Sequence, residues 1–244
     1  MRASQGAVAA RSGKTRQKQP KSRQRLSPED RERMIVRGAV SYFAANGFDG
    51  DTRALAKSLG VSQALIFHYF PSKDALIDRV YEDVFLSRWK TEWEELLSDR
   101  DRSLRRRLKD FYRDYYHTAN QYEWIRITLY SALRDIDINA RYHSRVRTRV
   151  IHRIIRELRD ELNLGREDAP ITDEEEHLIY NLHAAVIYQL IRNHIYKMPS
   201  TANMDRIINA HVDLFMDSAP LVLHRLLSDA AASRAAETVP PPEE

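Results

Sequence analysis

Residues 60–73 read GVSQALIFHYFPSK, and this stretch decides the fold. A glycine and a serine suited to capping a helix come first, and Pro71 stops the helix that follows. Four aromatic side chains stand in succession at residues 67–70. Helical spacing predicts that Val61, Ile66 and Phe70 pack inward. On composition alone, Phe67 and Tyr69 would be placed in an aromatic plug between helices. The side chains that we expect to face outward are Gln63, Leu65, Phe67, His68 and Tyr69.

Two further helices precede this one. Ser27 and Pro28 begin the first with a capping hydroxyl and a proline at the first helical position, and Gly47 ends it. The second starts at residue 51 or 52 and is joined to the third by a tight turn at Gly60. Two short helices joined by such a turn, and braced by a helix in front, form a helix-turn-helix whose second helix enters the DNA major groove. A glutamine there can bond adenine, and aromatic edges can meet thymine methyls.

Residues 27–80 resemble the DNA-binding domain of the tetracycline-repressor (TetR/AcrR) family of bacterial transcriptional regulators. The matching positions are Gly47-Phe48, Thr52-Arg53, Leu55-Ala56, Gly60-Val61-Ser62, Ile66-Phe67, Tyr69-Phe70, Lys73 and Leu76. The chain departs from the family pattern at Asp51, Ala64 and Phe67, where a hydroxyl residue, glycine and tyrosine are usual. Position by position, the resemblance implies DNA contacts by Thr52, Arg53, Ser62, Gln63, Leu65, His68, Tyr69 and Lys73.

The first 26 residues are predicted to form a disordered basic arm. Residues 1–25 hold eight Lys or Arg and no Asp or Glu, whereas the formal charge of the whole chain is +4. The arm therefore carries the excess positive charge, and the rest of the chain has a small negative balance. Such an arm is either a solvated extension or a segment drawn to a polyanion such as DNA.

Helical periodicity continues through the rest of the chain without strand alternation, so the predicted fold class is all-α. We place the helix-turn-helix domain at residues 27–73, a helical bundle at residues 74–230 and a disordered tail at residues 231–244. A long helix follows Ser72, and Pro220 is expected to kink or shorten the last helix. The later helices are expected near residues 103–118, 121–134, 138–163, 172–197 and 203–228.

The resemblance implies that the helical bundle binds a small-molecule effector. A pocket needs apolar walls with a few polar groups, and residues 122–133, YEWIRITLYSAL, are the favoured wall. Ordinary packing is the alternative for each residue, and Arg126 could pair with an anionic effector or with a protein carboxylate. The predicted effector contacts are Trp93, Tyr115, Trp124, Arg126, Tyr130, Tyr180 and His183.

The resemblance also implies a homodimer, since the last two long helices of such proteins pair with their twins. A two-fold protein suits a palindromic operator. The apolar stripes on these helices could form either that interface or the protein's own core. They consist of Ile179, Leu182, Val186 and Leu190 on one helix, and Ile207, Ile208, Val212 and Phe215 on the next.

Enzymes and metal carriers fit the sequence less well. The seven glycines form no phosphate-cradling loop, no His-Glu-x-x-His motif occurs, and Glu174-x-x-His177 alone does not make a di-iron site. We therefore predict no cofactor and no metal. The chain has no cysteine, and no apolar run approaches the roughly 20 residues of a membrane span, so we expect a soluble, cytoplasmic protein.

The sequence therefore predicts a ligand-responsive DNA-binding regulator rather than an enzyme. Its simplest form is a repressor that a small-molecule effector releases from a palindromic operator. The alternative is a helical small-molecule-binding or catalytic protein whose DNA-binding domain is vestigial.

Overall fold

The computed structural model describes residues 26–164 and 169–237. No strand occurs in these two ranges, and the prediction of an all-α fold is confirmed. A 3-10 turn at Leu86–Arg88 follows the helix that ends at Val84, and a π-helical turn at Arg147–Ile151 joins the helix that ends at Val146 to the one that begins at His152. The α-helices are α1 (Pro28–Asn46), α2 (Thr52–Leu59), α3 (Gln63–Tyr69), α4 (Lys73–Val84), α5 (Glu92–Ser98), α6 (Leu104–Ala119), α7 (Tyr122–Ala132), α8 (Asp137–Val146), α9 (His152–Glu161), α10 (Asp173–His194) and α11 (Met204–Glu237).

Serines cap the first, third and fourth helices, as the sequence predicts. The hydroxyls of Ser27, Ser62 and Ser72 each accept a hydrogen bond from the backbone N–H three residues later, at 3.0–3.1 Å. These bonds satisfy amides that have no partner inside a helix. Gly47 and Gly60 have φ values of +75° and +66°, in the region that glycine adopts without steric cost. Local sequence therefore sets the boundaries of the helix-turn-helix.

The predicted breaks between the later helices are also found. Three of these breaks begin at a residue with positive φ, namely Asp135 (49°), Asn163 (53°) and Lys197 (55°). A left-handed residue after the last turn ends a helix because it redirects the chain out of the helical path.

Three helical segments differ from the prediction. Helix α5 was not predicted, because its seven residues bury only Trp93 and Leu97 and are too short to show a clear period. The helix expected at residues 138–163 contains the π-helical turn. The last helix is not shortened at Pro220, because Ala219 and Leu223 are buried on either side of the proline. It continues to Glu237 through the alanine-rich residues 229–237, so the tail predicted from residue 231 begins too early.

Helices α1 and α4 connect the helix-turn-helix to the rest of the molecule. Helix α1 packs against α2, α4 and α7, while α4 buries Leu76, Val80 and Val84 as it runs away from α3. Farther along the chain, α10 packs against α6, α7, α9 and α11. Helix α7 and the far end of α4 are therefore the parts of the bundle through which a displacement would reach the helix-turn-helix directly.

The helical bundle also buries charged pairs. Arg159 and Glu175 are both almost fully buried, with Nη2 and Oε2 2.6 Å apart, and the Arg159 guanidinium also donates to the carbonyls of Ala169 and Pro170. Arg107 and Glu157 form a second buried pair at 2.8 Å. Burial alone would raise the pKa of Glu175, but the hydrogen bond from Arg159 lowers it below its usual value. The carboxylate therefore stays charged inside the protein.

Candidate DNA-binding surface and interior cavity

The four adjacent rings of α3 have different surroundings. Phe70 is buried with 6% of its surface exposed, as predicted, and Ile66 is buried beside it. Phe67 is 40% exposed, His68 is exposed, and Tyr69 is half-buried with its ring 5.2 Å from that of His68. Phe70 therefore holds α3 on the core and Tyr69 packs partly against it, while Phe67 and His68 form an aromatic surface that a partner can contact.

A hydrogen-bonded cluster joins α2 to α3. The Gln63 side-chain amide donates to Thr52 Oγ1 at 2.7 Å, and Arg53 Nε donates to Gln63 Oε1 at 3.4 Å. Asp51, one of the departures from the family pattern, caps α2 by accepting a bond from the Arg53 backbone N–H at 3.0 Å. Because Thr52 is buried, its hydroxyl supports Gln63, which remains half-buried at the surface. Three predicted DNA contacts thus lie in one network.

The other predicted DNA contacts lie along α3 and at the start of α4. Ser62 is exposed, and Leu65 is half-buried against the core. Lys73 is half-buried, and its Nζ donates a hydrogen bond to the carbonyl of Phe48. This bond ties the first turn of α4 to the loop between α1 and α2. The predicted basic arm lies outside the described residues, except for exposed Leu26.

The folded DNA-binding domain is not basic by itself. Residues 26–84 contain nine Asp or Glu and seven Lys or Arg. A phosphate backbone is bound chiefly through positive charge. Whatever attraction this domain has for DNA must therefore come from the placement of a few cations, or from the eight positive residues that precede it.

The helical bundle contains a small aromatic cavity. Its volume is about 10 Å³, which is about the space of one water molecule. Three predicted effector contacts line it, namely Trp93, Tyr115 and Trp124. The residues that sequence reasoning did not select are Phe85, Arg88, Trp89, Thr118, Ala119 and Tyr142. The spacing of residues in the sequence could not identify them, because they come from segments that are distant in the chain.

Hydrogen bonds fix the polar ends of three cavity rings. The Tyr115 and Tyr142 hydroxyl oxygens are 2.7 Å apart, and burial raises the pKa of both tyrosines. Trp93 Nε1 donates to Asp114 Oδ2 at 2.7 Å, and Lys90 Nζ binds the same carboxylate at 2.7 Å. Burial would raise the pKa of Asp114, but the bonds from Lys90 and Trp93 lower it. The polar groups of Trp93, Tyr115 and Tyr142 therefore already have hydrogen-bond partners.

The structure does not bring Arg126 and Tyr130 to the cavity. The Arg126 guanidinium donates to the backbone carbonyls of Ala44 and Ala45 at the end of α1, and to the Tyr130 hydroxyl at 2.6 Å. Among the described residues, its partners are these carbonyls and this hydroxyl, and no carboxylate pairs with it. A cation at this position compensates the negative end of the α1 dipole. The Tyr130 ring lies against Gly47, where an added Cβ would come within 3.2 Å.

His183 and Tyr180 also lie outside the cavity lining. His183 packs its ring 5.2 Å from that of Tyr115, and burial lowers its pKa to about 4. The ring is therefore neutral at neutral pH, and its Nδ1 is buried without a hydrogen-bond partner among the described residues. Tyr180 is half-buried on α10, and burial raises its pKa.

Most of the two apolar stripes considered for a dimer are core. All of their members except half-buried Ile207 are buried within the chain itself. A different apolar surface lies on the outer side of α10 and α11. Leu214 and Leu221 are 69% and 57% exposed, and other residues of α10 and α11 form a groove of about 470 Å³. The groove is lined by Asp173, Glu174, His177, Leu178, Asn181, Val222 and Leu226.

Neither a metal site nor a membrane-spanning helix occurs among the residues that the structure describes. No group of three or more His, Asp or Glu side chains is arranged to hold a metal ion. No helix of residues 26–164 or 169–237 is long and apolar enough to cross a membrane.

Residues 35–80 match the family model described as "Bacterial regulatory proteins, tetR family". This match confirms the resemblance seen in the sequence and the prediction of a DNA-binding regulator. Ligand responsiveness is typical of that family, whose members are transcriptional regulators.

Solved structures are similar over most of the chain. A protein of Pseudomonas aeruginosa PAO1 has a TM-score of 0.59 and 20% identity, covering 82% of this chain and 95% of that one. A TetR-like transcriptional regulator from Rhodococcus sp. RHA1 has a TM-score of 0.53 and 19% identity, covering 84% and 99%. A TetR family transcriptional regulator from Pseudomonas syringae pv. tomato str. DC3000 has a TM-score of 0.51 and 12% identity, covering 79% and 97%. At these identities the likeness concerns the fold.

Proposed function

We propose that this chain, whose residues 35–80 match the tetR family, is a homodimeric repressor that a small-molecule effector releases from a palindromic DNA operator. The observation that carries the proposal is the outer surface of α3. It combines the exposed rings of Phe67 and His68 with the Gln63 amide, which the Thr52 hydroxyl orients. An amide and aromatic edges are suited to adenine and to thymine methyl groups in the major groove.

The proposed DNA contacts divide into two roles. Gln63, Leu65, His68 and Tyr69 lie on α3, which would enter the major groove and meet base edges. Thr52, Arg53, Ser62 and Lys73 lie at helix N-termini or beside them, where backbone amides and cations suit phosphates. We propose that the basic arm adds phosphate contacts, because the folded domain itself has more acidic than basic residues.

The proposed response to an effector uses the two helices that connect cavity and DNA-binding domain. Trp124 on α7 lines the cavity, and two residues later Arg126 binds the end of α1. Phe85 lines the cavity directly after α4, whose first residue is Lys73. A cavity of about 10 Å³ cannot accept an organic molecule without displacing such walls. Since packed interfaces shift between discrete arrangements, that displacement would reorient α1 and α4.

The proposed dimer uses the outer face of α10 and α11. Leu214 and Leu221 lie seven residues apart, which places them on one side of α11. We propose that a second copy covers these two side chains and the apolar residues Leu178 and Val222 of the groove. We propose no enzymatic activity, because the cavity walls are mainly aromatic and suit binding. We expect the protein to act in the cytoplasm, where bacterial DNA lies.

Selection from random DNA duplexes with the purified full-length chain tests this function. The proposal expects enrichment of one sequence with two-fold symmetry, whose half-sites lie about one helical turn or a multiple of it apart. Sedimentation of the chain alone should show a dimer, and Leu221→Glu should convert it to a monomer. Random sequence after repeated rounds would favour the alternative, a ligand-binding or catalytic protein whose DNA-binding domain is vestigial.

A further inference from the structure

The wall of the aromatic cavity contains a hydrogen-bond donor without a partner. Trp89 Nε1 is buried and makes no hydrogen bond within the described residues. The polar ends of Trp93, Tyr115 and Tyr142 are occupied, as described above. A buried donor without a hydrogen-bond partner is unfavourable unless water or a ligand meets it. A molecule that fills this cavity therefore gains by presenting an acceptor to Trp89.

The ring planes of the cavity favour an aromatic occupant. Ring centroids lie 5.0 Å apart for Phe85 and Tyr142, 5.4 Å for Trp93 and Tyr115, and 5.5 Å for Trp89 and Trp93. These rings meet at inclined angles, which is the geometry of favourable aromatic pairs. A planar aromatic molecule that separates them would exchange one set of ring contacts for another.

The charges around Trp89 are positive. Arg88 lines the cavity, and no Asp or Glu is among the residues that line it. On the side of α8, the Arg145 guanidinium carbon lies 5.4 Å from the centre of the Trp89 ring. A cationic molecule would find no carboxylate in the lining, since Asp114 behind Trp93 is already bound by Lys90 and Trp93, whereas an anion would meet two guanidinium groups.

Arg145 also lines an open groove outside the cavity, where it differs from the other two arginines in its ion pairing. The groove has a volume of about 610 Å³ and runs along α8 past Tyr81 and Leu86. Arg141 is paired with Asp78 and Asp137, and Arg149 with Glu94. Arg145 has no ion pair within the described part of the chain, although its side chain stacks on Trp89. Trp89 thus contacts Arg145 of the groove and also lines the cavity, and its indole N–H has no acceptor among the described residues.

We propose that the effector is an aromatic anion that enters from this groove, displaces Trp89 and seats its ring among the cavity walls. Its acceptor receives the Trp89 indole N–H, and its negative charge is met by Arg145. This inference rests on the proposed function, because it names the chemical class of ligand for the same regulator.

Three matched probes test the charge preference: 2-naphthoate, its neutral analogue 2-naphthamide, and the cation 2-naphthylmethylammonium. Calorimetric titration of the full-length chain should show the tightest binding for naphthoate and the weakest for the cation. Arg145→Gln should lower naphthoate affinity about tenfold and leave naphthamide affinity unchanged, since only a charge-assisted contact is lost. Arg206→Gln, an exposed arginine on α11, is the control and should change neither.

Trp89→Phe tests the donor while keeping an aromatic ring. It should lower the affinities of naphthoate and naphthamide by a similar factor of about ten, because both present an acceptor. Equal or tighter binding of the cation would overturn the inference, as would equal losses for both acceptor probes in Arg145→Gln, or no binding by any probe. DNA selection is measured separately. Selected DNA without anion binding sinks the inference alone, and anion binding without selected DNA sinks the proposed function alone.

Discussion

The DNA-binding domain and the helical bundle use polar side chains in opposite ways. In the first, Gln63, Arg53 and His68 lie at the surface with hydrogen-bonding capacity left for a partner. In the second, Arg159 and Glu175 are buried against each other, and Asp114 is bound by Lys90 and Trp93. The difference separates groups that serve recognition from groups that serve the fold. Changes in the bundle should therefore mainly affect stability, and changes on α3 should mainly affect DNA.

The largest expected effect is on stability, in Arg159→Met. This change leaves Glu175 charged and buried without its partner, so the free energy of unfolding should fall by about 3–5 kcal/mol. Denaturant unfolding measures it, with Arg156→Met as the control because Arg156 is exposed on the same helix. A loss below about 1 kcal/mol, the range of surface pairs, would show that the bundle does not rely on this pair.

The next effect concerns pH and His183. Its pKa is about 4 in the folded protein and about 6.5 in an unfolded chain, so the unfolded state takes up a proton first as pH falls. Its contribution to stability is fully present above pH 6.5 and is lost as pH falls toward 4, by up to about 3 kcal/mol. His183→Phe keeps the ring against Tyr115 and removes the titrating group. As pH falls from 6.5 to 4, the unmodified protein should lose stability relative to His183→Phe. Parallel curves of unfolding free energy against pH would contradict the assignment.

The third prediction concerns the basic arm. If three or four of its eight positive residues meet phosphates, the slope of log affinity against log salt should steepen by about 3. Between 50 and 200 mM salt this amounts to roughly a fiftyfold difference in affinity. The comparison is between the full-length chain and one that begins at Leu26. Specificity should change little because the arm would meet backbone, and parallel salt plots would show that it takes no part.

A smaller effect is expected at single positions of the DNA-binding domain. Gln63→Ala should weaken discrimination at one base pair by about 1–3 kcal/mol, because a bidentate contact to the base is lost. Lys73→Ala should weaken binding to all duplexes alike, since a phosphate contact carries no sequence information. Competition titrations against every single-base variant of the selected site measure both. Unchanged base preference in Gln63→Ala would remove it from the base-reading residues.

The smallest expected effect lies where the two regions meet. Arg126→Met removes a cation from the end of α1 and should lower the free energy of unfolding by about 1 kcal/mol. Arg134→Met is the control, because its pair with Asp49 is exposed and should contribute less. The effector response should weaken in the Arg126 variant alone. An unchanged response would place the coupling in α4.

These two regions also differ in how far the sequence predicts them. The position of Phe70 and the cap at Ser62 depend on neighbours within a few residues, so pattern reasoning located both. The partners of Arg126 are carbonyls more than 80 residues away, and no local pattern reveals them. The shared cavity of Trp89, which follows the 3-10 turn, and Tyr142, which lies on α8, could not be predicted for the same reason. Helix α5 was missed because its apolar contacts are too few to show a period.

The central claim is that α3 reads a DNA sequence, and relative affinity tests it most directly. Fluorescence anisotropy should be measured with the full-length chain on its selected duplex and on a scrambled duplex of the same composition, at one physiological salt concentration. The protein should bind the selected duplex at least about 1,000-fold more tightly than the scrambled duplex, as specific DNA-binding proteins do. Equal affinity for the two duplexes would contradict it.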